Sequence, residues 1–481
     1  MVYSHRYLSS KGTLAALCLV VLLAGSVAFG QDAKLQAKLD KLLQHKGVYP
    51  WKVSVLAVEA KTGRTIFASR ESRPLIPASN MKLVVTAAAL SRWGADYEFG
   101  TLLARRGNDI VVIGSGDPGF GDPALQVKYG QDPTSVFREW AKIVKKAGLS
   151  EAGDIIIDDS VFDGQFVHPH WPKKQLNRWY TPPVGGLNLW ENSVGVCKIS
   201  RGSGKLRLLV EPGLNYRPKS KRAPLGHRQV SISGGPEDGK NRAGGIVVRS
   251  DKPGATMAAD PGVFFGSVFR AVLGKEGVSV SGQVVRKKLS DAEGKLDEQV
   301  VILARAGTKL TDIIERANRH SRALFAECLL KRLGSDGRGS GSWEKGSAAA
   351  GRFLAEQTGA KTEEFVIADG SGLSRKNRLS PTVLVVVLKY MAARPDAAAF
   401  RQSLAIWGWK GTLRTRSNKS VLARRIFAKT GYIRGVRSLS GYVRSTKGKL
   451  IAFSILMKEV PDGKGWRARQ LQQDICELLV N

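Results

Sequence analysis

The sequence has few cysteines, few acidic residues and no second long hydrophobic run, and each shortage excludes a class of protein. Four cysteines in 481 residues are too few for a disulfide-stapled scaffold, and the chain contains neither a C-x-x-C nor an H-E-x-x-H metal motif. Beyond the N-terminal region, no segment approaches the ~18 apolar residues of a membrane-spanning helix. Hydrophobic residues make up 43% and charged residues 24% of the chain, which excludes wholesale disorder.

The shortage of acidic residues leaves a strong positive charge. Lys and Arg number 75 against 41 Asp and Glu, so the formal net charge is +34. The excess is concentrated near the C-terminus, where residues 401–481 hold 17 basic and 4 acidic residues. A charge of this size indicates an acidic partner, and nucleic acid is the first candidate.

The first thirty residues have the pattern of an export signal. Arg6 and Lys11 precede the apolar run 14–23, and small residues then lead to a cleavage position near Gly30 and Gln31. An uncleaved N-terminal anchor is the alternative. The pattern predicts a periplasmic or secreted protein of the cell envelope, which argues against a nucleic-acid partner. An anionic membrane or wall polymer takes its place as the expected acidic partner.

The order of hydrophobic patterns predicts an α+β fold with an insertion. Helical periodicity is present at 33–45, 80–93, 308–333, 343–357 and from 467 to the end, and strand-like alternation at 52–59, 64–70, 438–444 and 450–457. Between about 100 and 300, short β-like runs alternate with turns rich in Gly and Pro, and residues 216–243 have the composition of a basic loop. We therefore predict a signal peptide at 1–30, a discontinuous domain formed by 31–98 and 300–481, and an inserted β-rich region of one or two small domains at 99–299.

A candidate nucleophile lies at the start of the helix at 80–93. Ser79 and Lys82 form an S-x-x-K motif, and residues three apart on a helix share a face, so the amine can reach the hydroxyl. A lysine with a lowered pKa can then take the serine proton. A second copy, Ser342 to Lys345, lies beside a Gly/Ser-rich linker, and the apolar helix behind Ser79 favours the first copy.

A second candidate element is Lys429-Thr430-Gly431 on a predicted strand. It offers a cation, a hydroxyl and a glycine that allows close approach to the backbone. The same tripeptide also occurs at Lys61-Thr62-Gly63, but there it falls in a hairpin turn, where glycine is expected for conformational reasons. We therefore assign the chemistry to Lys429.

Four short motifs in order resemble those of a known enzyme family. They are Pro77-Ala78-Ser79-Asn80-Met81-Lys82-Leu83, the run Asn318 to Glu327 around Ser321, Asp369-Gly370-Ser371-Gly372-Leu373-Ser374-Arg375, and Ala428-Lys429-Thr430-Gly431. Their order, and the long insertion between Ser79 and Ser321, resemble the peptidase S13 family of D-alanyl-D-alanine carboxypeptidases/endopeptidases, which are low-molecular-mass class C penicillin-binding proteins.

The resemblance implies a fold, a reaction and a set of roles. The fold would be a transpeptidase/β-lactamase-like domain with an antiparallel sheet and flanking helices, and the substrates would be peptidoglycan stem peptides, with β-lactams as covalent inhibitors. It implies Ser79 as the acylated nucleophile, Lys82 as its base, Ser321 as a proton relay and Lys429 as an electrostatic aid. It assigns substrate contacts to Thr430, Gly431, Tyr432, Asp158 and Arg375, an oxyanion hole to the backbone N–H groups of Ser79 and Tyr432, and no cofactor or metal.

One position departs from the family pattern. The S-x-N motif of the family would require asparagine where this chain has Ala323, and no S-x-N tripeptide occurs in the sequence. Asn318, three residues before Ser321, is on the same helical face, but local packing is the preferred interpretation. Two functions therefore stay open, an active but slow peptidase and a wall-binding protein that has lost turnover.

Other features leave alternatives open. The balance between endopeptidase and carboxypeptidase action does not follow from the sequence. Cys197, Cys328 and Cys476 would remain after cleavage, and buried free thiols are preferred over a disulfide. His168 and His170 are expected to be loop residues rather than metal ligands, because no second pair of ligands follows at a suitable spacing.

Overall fold

A computed structural model describes most of the chain. The described residues are 32–44, 52–176, 178–201, 205–211, 214–216, 229–232, 246–249, 254–335 and 340–480, with the backbone alone between 194 and 257. The predicted signal peptide and most of the predicted basic loop at 216–243 lie outside these residues. In the part of the chain that is described, no helix combines the length and apolar character needed to cross a membrane.

The elements follow one another as a mixture of helices and short strands. The helices are α1 Ala33–Leu43, α2 Met81–Trp93, α3 Pro123–Lys128, α4 Ser135–Lys146, α5 Pro261–Lys275, α6 Leu310–Asn318, α7 Ala323–Leu333, α8 Trp343–Arg352, α9 Pro381–Ala393, α10 Ala397–Gln402 and α11 Gly465–Val480. The first twelve strands are β1 Val53–Glu59, β2 Thr65–Ser69, β3 Glu98–Arg106, β4 Asp109–Ile113, β5 Glu151–Ala152, β6 Ile155–Asp158, β7 Ser193–Arg201, β8 Lys205–Glu211, β9 Leu214–Tyr216, β10 Gln229–Ile232, β11 Ile246–Arg249 and β12 Gly254–Met257. The remaining strands are β13 Ser279–Val280, β14 Val284–Arg286, β15 Val300–Lys309, β16 Phe365–Val366, β17 Arg378–Leu379, β18 Ala405–Ile406, β19 Ile426–Ile433, β20 Val436–Arg444 and β21 Leu450–Lys458.

The largest sheet joins the two ends of the chain. Its order is β18-β19-β20-β21-β1-β2, and every neighbouring pair is antiparallel. Both faces are buried, as the alternation along β21 shows: Phe453 and Ile455 pack on one side and Ala452 and Leu456 on the other. Helices α1 and α11 cover the first face, while α2, α6, α7 and α9 cover the second. The predicted α+β class with an antiparallel sheet between helices is confirmed.

The inserted region is built around a mixed sheet, to which β15, at 300–309, also contributes. Its order is β14-β6-β4-β3-β15, in which β6 pairs in parallel with both β4 and β14. The chain enters this region along β3 and leaves it along β15, and these two strands pair antiparallel along their whole length. The predicted domain boundaries at 98/99 and 299/300 fall at the starts of these two strands and stay a prediction.

The inserted region also holds helices that the sequence patterns did not indicate. Helices α4 and α5 form an aromatic core there, with Phe137 stacked on Phe269 at a centroid distance of 4.9 Å. Helix α5 contains Gly262 and Gly266, at which an added side chain would collide with Asp159 and Val284. Glycine weakens a helical pattern in sequence, but here it lets the helix lie directly against the sheet.

Two predicted helices are interrupted. The helix expected over 308–333 is wrong as a single element, because β15 continues to Lys309 and the helix breaks at 319–322. Ser321 lies in that break with a φ of +58°, a left-handed conformation that interrupts a right-handed α-helix. The helix expected over 343–357 keeps its form to Arg352 and continues as one wider turn over Phe353–Gln357.

The cysteine expectation is confirmed where side chains are described. Cys328 and Cys476 are buried, free thiols on α7 and α11. The side chain of Cys197 lies outside the described residues.

Candidate active site

Ser79 and Lys82 meet at the start of α2. A short 3₁₀ turn, Ala78–Asn80, carries the serine into the helix, which begins at Met81. The Lys82 amine lies 3.3 Å from the Ser79 hydroxyl and donates a 2.6 Å hydrogen bond to the Ser371 carbonyl. Only 1% of Lys82 is exposed. The S-x-x-K spacing therefore places a dehydrated amine beside the hydroxyl.

Burial sets the protonation of this amine. Loss of solvation lowers the pKa of Lys82 to about 8, while the nearby carboxylates Glu327 and Asp369 oppose the shift by favouring the charged form. An amine with a pKa of about 8 is about one-tenth neutral at pH 7, whereas an ordinary lysine is less than about 0.1% neutral. Lys82 can therefore accept a proton near neutral pH.

The two carboxylates also shape the loop that faces Lys82. Glu327 accepts hydrogen bonds from the backbone N–H groups of Gly370 and Ser371 at 2.9 and 2.8 Å, and from the Trp343 indole at 2.8 Å. These bonds fix the Ser371 carbonyl that receives the lysine amine. Burial, together with the charge of the neighbouring Asp369, raises the pKa of Glu327 to about 7. Glu327 and Asp369 thus position the acceptor and supply negative charge behind it.

A second buried amine reaches the cavity through Ser321. The Lys429 amine on β19 donates hydrogen bonds to the Ser321 hydroxyl at 2.9 Å and to the Thr430 carbonyl at 2.8 Å. Burial lowers the pKa of Lys429 well below its usual range, and the charge of Lys82 lowers it further. Because two neighbouring amines repel each other when both are protonated, the pair favours states that carry one positive charge.

Side-chain hydrogen bonds hold β19 against the turn that carries Ser79. The Asn80 amide donates to the Lys429 carbonyl at 2.8 Å, and its oxygen accepts from the Ser440 hydroxyl at 2.6 Å. At Gly431 a Cβ atom would stand 3.1 Å from the Ser79 backbone nitrogen. Glycine at this position therefore lets the strand lie next to the Ser79 amide, the group predicted for the oxyanion hole.

A glycine also closes the opposite side of the turn. Gly372 has a φ of +80°, and a Cβ atom there would stand 1.7 Å from the Ala78 carbonyl oxygen. Asp369 anchors this loop by accepting hydrogen bonds from the backbone N–H groups of Gly372 and Ser374 at 2.8 and 2.6 Å. The loop 369–374 is therefore fixed between α7 and the Ser79 turn.

These groups open into a cavity of about 570 Å³. The predicted site residues that line it are Ser79, Lys82, Ser321, Arg375, Thr430 and Tyr432. Lys429 lies behind Ser321, and Gly431 lies on the same strand. The sequence motifs, which are separated by up to about 350 residues in the chain, thus converge on one cavity.

Asp158 is the predicted site residue that the structure places elsewhere. It ends β6 in the inserted region, is 4% exposed and does not line the cavity. Its carboxylate accepts hydrogen bonds from the backbone N–H groups of Ser160 at 3.0 Å and Leu289 at 2.7 Å. These bonds hold the carboxylate inside the insertion, so the structure does not bring Asp158 together with the other predicted site residues, and its role in substrate binding stays a prediction.

Ala323 lines the cavity at the first residue of α7, so a methyl group stands where the family pattern has an amide. Asn318 does not replace that amide. Its side chain is fully buried and donates to the hydroxyls of Thr86 at 3.0 Å and Ser403 at 2.9 Å. The preference for local packing of Asn318 is confirmed.

The second S-x-x-K copy has a different local structure. The Ser342 hydroxyl accepts a 3.1 Å hydrogen bond from the backbone N–H of Lys345, which makes Ser342 the N-cap of α8. The Lys345 amine donates to the Ser340 carbonyl. The other Lys-Thr-Gly copy ends in a turn at Gly63, with a φ of +78°. Both copies serve local structure.

Several lining residues had no assigned role in the sequence. Pro172, Gln175, Trp179 and Tyr180 reach the cavity from the inserted region, and Thr412 reaches it from the loop after β18. Glu327 ends the second motif, and the sequence assigns it no role. A buried acid on a helix can be assigned only when its partners from other segments are known.

The histidine pair takes part in hydrogen bonds between loops. His168 contacts the Ala368 carbonyl at 2.8 Å, and the Lys376 amine lies 2.8 Å from the His170 ring. Among the residues that the structure describes, no three His, Cys, Asp or Glu side chains come together as metal ligands.

Known proteins match both the sequence and the fold. A D-alanyl-D-alanine carboxypeptidase of Actinomadura sp. (strain R39) is 28% identical over 462 residues, covering 88% of this chain and 80% of its own. Penicillin binding protein 4 (dacB) from Haemophilus influenzae has a similar fold, with a TM-score of 0.69, 22% identity and coverage of 92% of this chain and 98% of its own. The same Haemophilus protein has been solved in complex with a β-lactam, in a structure that matches with a TM-score of 0.65, 21% identity and the same coverage.

The family model of the D-Ala-D-Ala carboxypeptidase 3 (S13) family matches residues 35–477, which is nearly the whole chain. The resemblance first seen in four short motifs is therefore confirmed across the sequence. The chain belongs to the D-Ala-D-Ala carboxypeptidase 3 (S13) family and is a serine-type peptidase, a hydrolase.

Proposed function

We propose that this protein hydrolyses the terminal D-Ala–D-Ala bond of peptidoglycan stem peptides through an acyl-enzyme on Ser79. The observation that carries the proposal is the Lys82 amine, which is buried, lowered in pKa to about 8 and 3.3 Å from the Ser79 hydroxyl. Membership of the carboxypeptidase family supports the choice of substrate.

The acylation step follows from this geometry. The Ser79 oxygen attacks the carbonyl carbon between the two D-Ala residues while neutral Lys82 takes the hydroxyl proton. Negative charge then develops on the carbonyl oxygen, beside the backbone amide of Ser79, and the N–H groups at the start of the helix favour it. The C–N bond breaks, an ester forms on Ser79, and the terminal D-Ala leaves as an amine.

The leaving amine requires a proton, and Ser321 is placed to relay one. Its hydroxyl accepts a hydrogen bond from the Lys429 amine and lines the cavity. The proton passes from the Ser321 hydroxyl to the leaving nitrogen, and the lysine pair restores the proton of Ser321. Water then attacks the ester carbonyl, with Lys82 as its base, and releases the shortened peptide and free Ser79.

The terminal carboxylate of the substrate meets hydroxyl groups. Thr430 and Thr412 line the cavity, and their hydroxyl oxygens are 2.8 Å apart. Lys429 is fully buried, so it acts on this carboxylate without contact, in the state in which the single positive charge of the lysine pair resides on it. Cross-linked peptides present the same acyl half with a different leaving amine, and we include their cleavage in the proposal.

A labelled β-lactam tests the proposal directly. Wild-type protein should become covalently labelled, and mass spectrometry should place the label on Ser79. The Ser79→Ala variant should not be labelled. Ser342→Ala is the matched control: it removes the serine of the second S-x-x-K copy, which costs about 1 kcal/mol of helix capping, and it should keep full labelling. Folded wild-type protein that neither β-lactam nor stem peptide acylates would refute the proposal.

A second candidate function is a peptidoglycan-binding protein with impaired turnover. The observation that favours it is the methyl group of Ala323 in the cavity wall. One preorganised polar group can supply about 2.7–4 kcal/mol, or roughly 10²–10³ in rate. Ala323→Asn should therefore raise acylation and turnover by about tenfold or more if its amide reaches the site. Unchanged rates in a folded variant would show that the site does not depend on an amide there.

We further propose that the protein acts in the cell envelope and is attracted to an anionic wall polymer or membrane. Between Asp396 and Glu459 the chain has fourteen Lys or Arg residues and no Asp or Glu. The exposed Trp409 ring has two cations near its centroid, the Lys410 amine at 4.2 Å and the Arg424 guanidinium at 4.9 Å. This cationic segment borders the cavity through Thr412.

Salt titration and cell fractionation test this part of the proposal. Binding to isolated wall material should weaken steeply between low and high salt, because exposed charges are screened over about 10 Å at 0.1 M. A Trp409→Ala variant should bind less, whereas Trp466→Ala, which removes another exposed tryptophan, should not. A flat salt response, or a protein found in the cytosol, would contradict it.

A further inference from the structure

One carboxylate in the inserted region bridges two arginines on either side of Ser321. Glu191 accepts from Arg316 at 2.6 Å through one oxygen and from Arg322 at 2.5 Å through the other. Arg316 lies in the last turn of α6, and Arg322 is the N-cap of α7. The four-residue break that contains Ser321 is therefore closed by a side chain from a distant segment of the chain.

The segment that carries Glu191 is itself held in an unusual shape. Trp190, Glu191 and Asn192 all have positive φ values, between +51° and +56°. The Asn192 amide donates to the Pro183 carbonyl at 2.8 Å and to the Asn188 oxygen at 2.7 Å. Glu191 is 6% exposed, so these bonds present a buried charge at a fixed place.

The two ends of the Ser321 break have different anchors. At one end, Arg319 donates to the Leu404 carbonyl, and its own carbonyl accepts from Thr412. At the other end, the Arg322 side chain pairs with Glu191 and stacks at 4.8 Å over Trp179, a residue of the cavity wall. Loss of Glu191 would therefore remove the ionic anchor of the Arg322 end, which would keep its stacking on Trp179 and the 3.1 Å bond from its backbone N–H to the Arg316 carbonyl, and would leave the Arg319 end in place.

We propose that Glu191 is a positioning residue for the reaction: by holding Arg316 and Arg322 together, it fixes the left-handed conformation of Ser321 and so keeps the Ser321 hydroxyl on the Lys429 amine. The inserted region then contributes to catalysis through this contact as well as through the cavity wall. This inference rests on the proposed function, because the role of Ser321 as a proton relay is taken from there.

Glu191→Gln tests the proposal, because it keeps the size of the side chain and removes its charge. The rate of β-lactam acylation should fall by about 10²-fold, since an error of about 1 Å in a reacting group costs that much. The matched control is Asp159→Asn. Asp159 has the same 6% exposure and pairs with Arg286 at 2.8 Å in the inserted region, but it does not line the cavity. It should lower the melting temperature while leaving acylation within twofold.

Equal losses of melting temperature in both variants, with acylation unchanged in both, would overturn the proposal. If Glu191→Gln does not fold, the Arg322→Lys variant replaces it in the test. Lysine keeps the positive charge but loses the planar pairing with Glu191 and the stacking on Trp179, so this variant should also slow acylation. A crystal structure of the variant tests the proposal independently of any activity measurement. Ser321 should move off the Lys429 amine, and a retained 2.9 Å contact would overturn the inference even if wild-type acylation, and with it the proposed function, failed.

Discussion

The pH dependence of acylation follows from the state of one buried amine. Attack by Ser79 requires neutral Lys82, whose pKa is lowered by burial to about 8. The neutral fraction is about 1% at pH 6, 10% at pH 7, one half at pH 8 and 90% at pH 9. The acylation rate should therefore rise about tenfold from pH 6 to 7 and about fivefold from pH 7 to 8, and then level off.

Quenched labelling with a fluorescent β-lactam measures this rate at each pH. Spontaneous β-lactam hydrolysis and the melting temperature, recorded at the same pH values, separate loss of reagent or unfolding from titration. An exposed lysine with an ordinary pKa would give a rate that still rises about tenfold per pH unit at pH 9. Such a continued rise, or a rate independent of pH between 6 and 9, would refute the assignment of Lys82 as a buried base.

Removal of the negative charge of Glu327, which lies near Lys82, should move the midpoint of the pH profile of acylation in a known direction. The carboxylate of Glu327 raises the pKa of Lys82, so Glu327→Gln should shift the acid limb of the profile to lower pH. The variant also changes the bonds to Gly370 and Ser371, so the plateau rate should fall as well. A midpoint that moves to higher pH would contradict the electrostatic account.

Two further predictions concern stability. Gly372→Ala should lower the free energy of unfolding by more than about 2 kcal/mol, because the added Cβ would collide with the Ala78 carbonyl. Gly359 has a similar φ and open space around it, so Gly359→Ala should lower the free energy of unfolding by only about 1 kcal/mol. Equal losses of the two variants in urea denaturation would contradict the steric reason. Asp117→Asn should remove a pH-dependent term, because burial raises the pKa of Asp117 to about 7. The folded state holds that proton more tightly than the unfolded state, so its contribution to stability is full below about pH 4 and is lost, by a few kcal/mol, as the pH rises through 7. The stability of the variant relative to wild type should therefore increase from pH 4 to 8, and parallel curves would contradict this.

The parts of the site that depend on local spacing could be predicted from the sequence. Ser79 and Lys82 lie three residues apart at the start of one helix, and Lys429, Thr430 and Gly431 follow one another on one strand. Each of these relations is fixed by backbone geometry within a few residues. The order of the motifs then identified the family and, with it, the fold.

The parts that the sequence did not predict depend on contacts between distant segments. The family resemblance implies a substrate contact for Asp158, but it does not indicate that the Leu289 backbone amide, 131 residues away, donates a hydrogen bond to its carboxylate. The break at Ser321 lies inside a run of helical periodicity and is closed by Glu191, which is 131 residues from Arg322. Hydrophobic periodicity predicts which residues are buried, but it does not predict a single left-handed residue between two helices.

The two S-x-x-K copies show why spacing alone does not make a nucleophile. Both begin a helix, and in both the serine and lysine are three residues apart. At Ser342 the hydroxyl is used to cap the helix, and the Lys345 amine reaches an exposed carbonyl. At Ser79 the lysine is enclosed by the 369–374 loop, which Glu327 holds from α7, and burial rather than spacing lowers its pKa. The reactive copy is therefore the one whose lysine is enclosed by segments from elsewhere in the chain, and the chemistry of the motif depends on the tertiary fold.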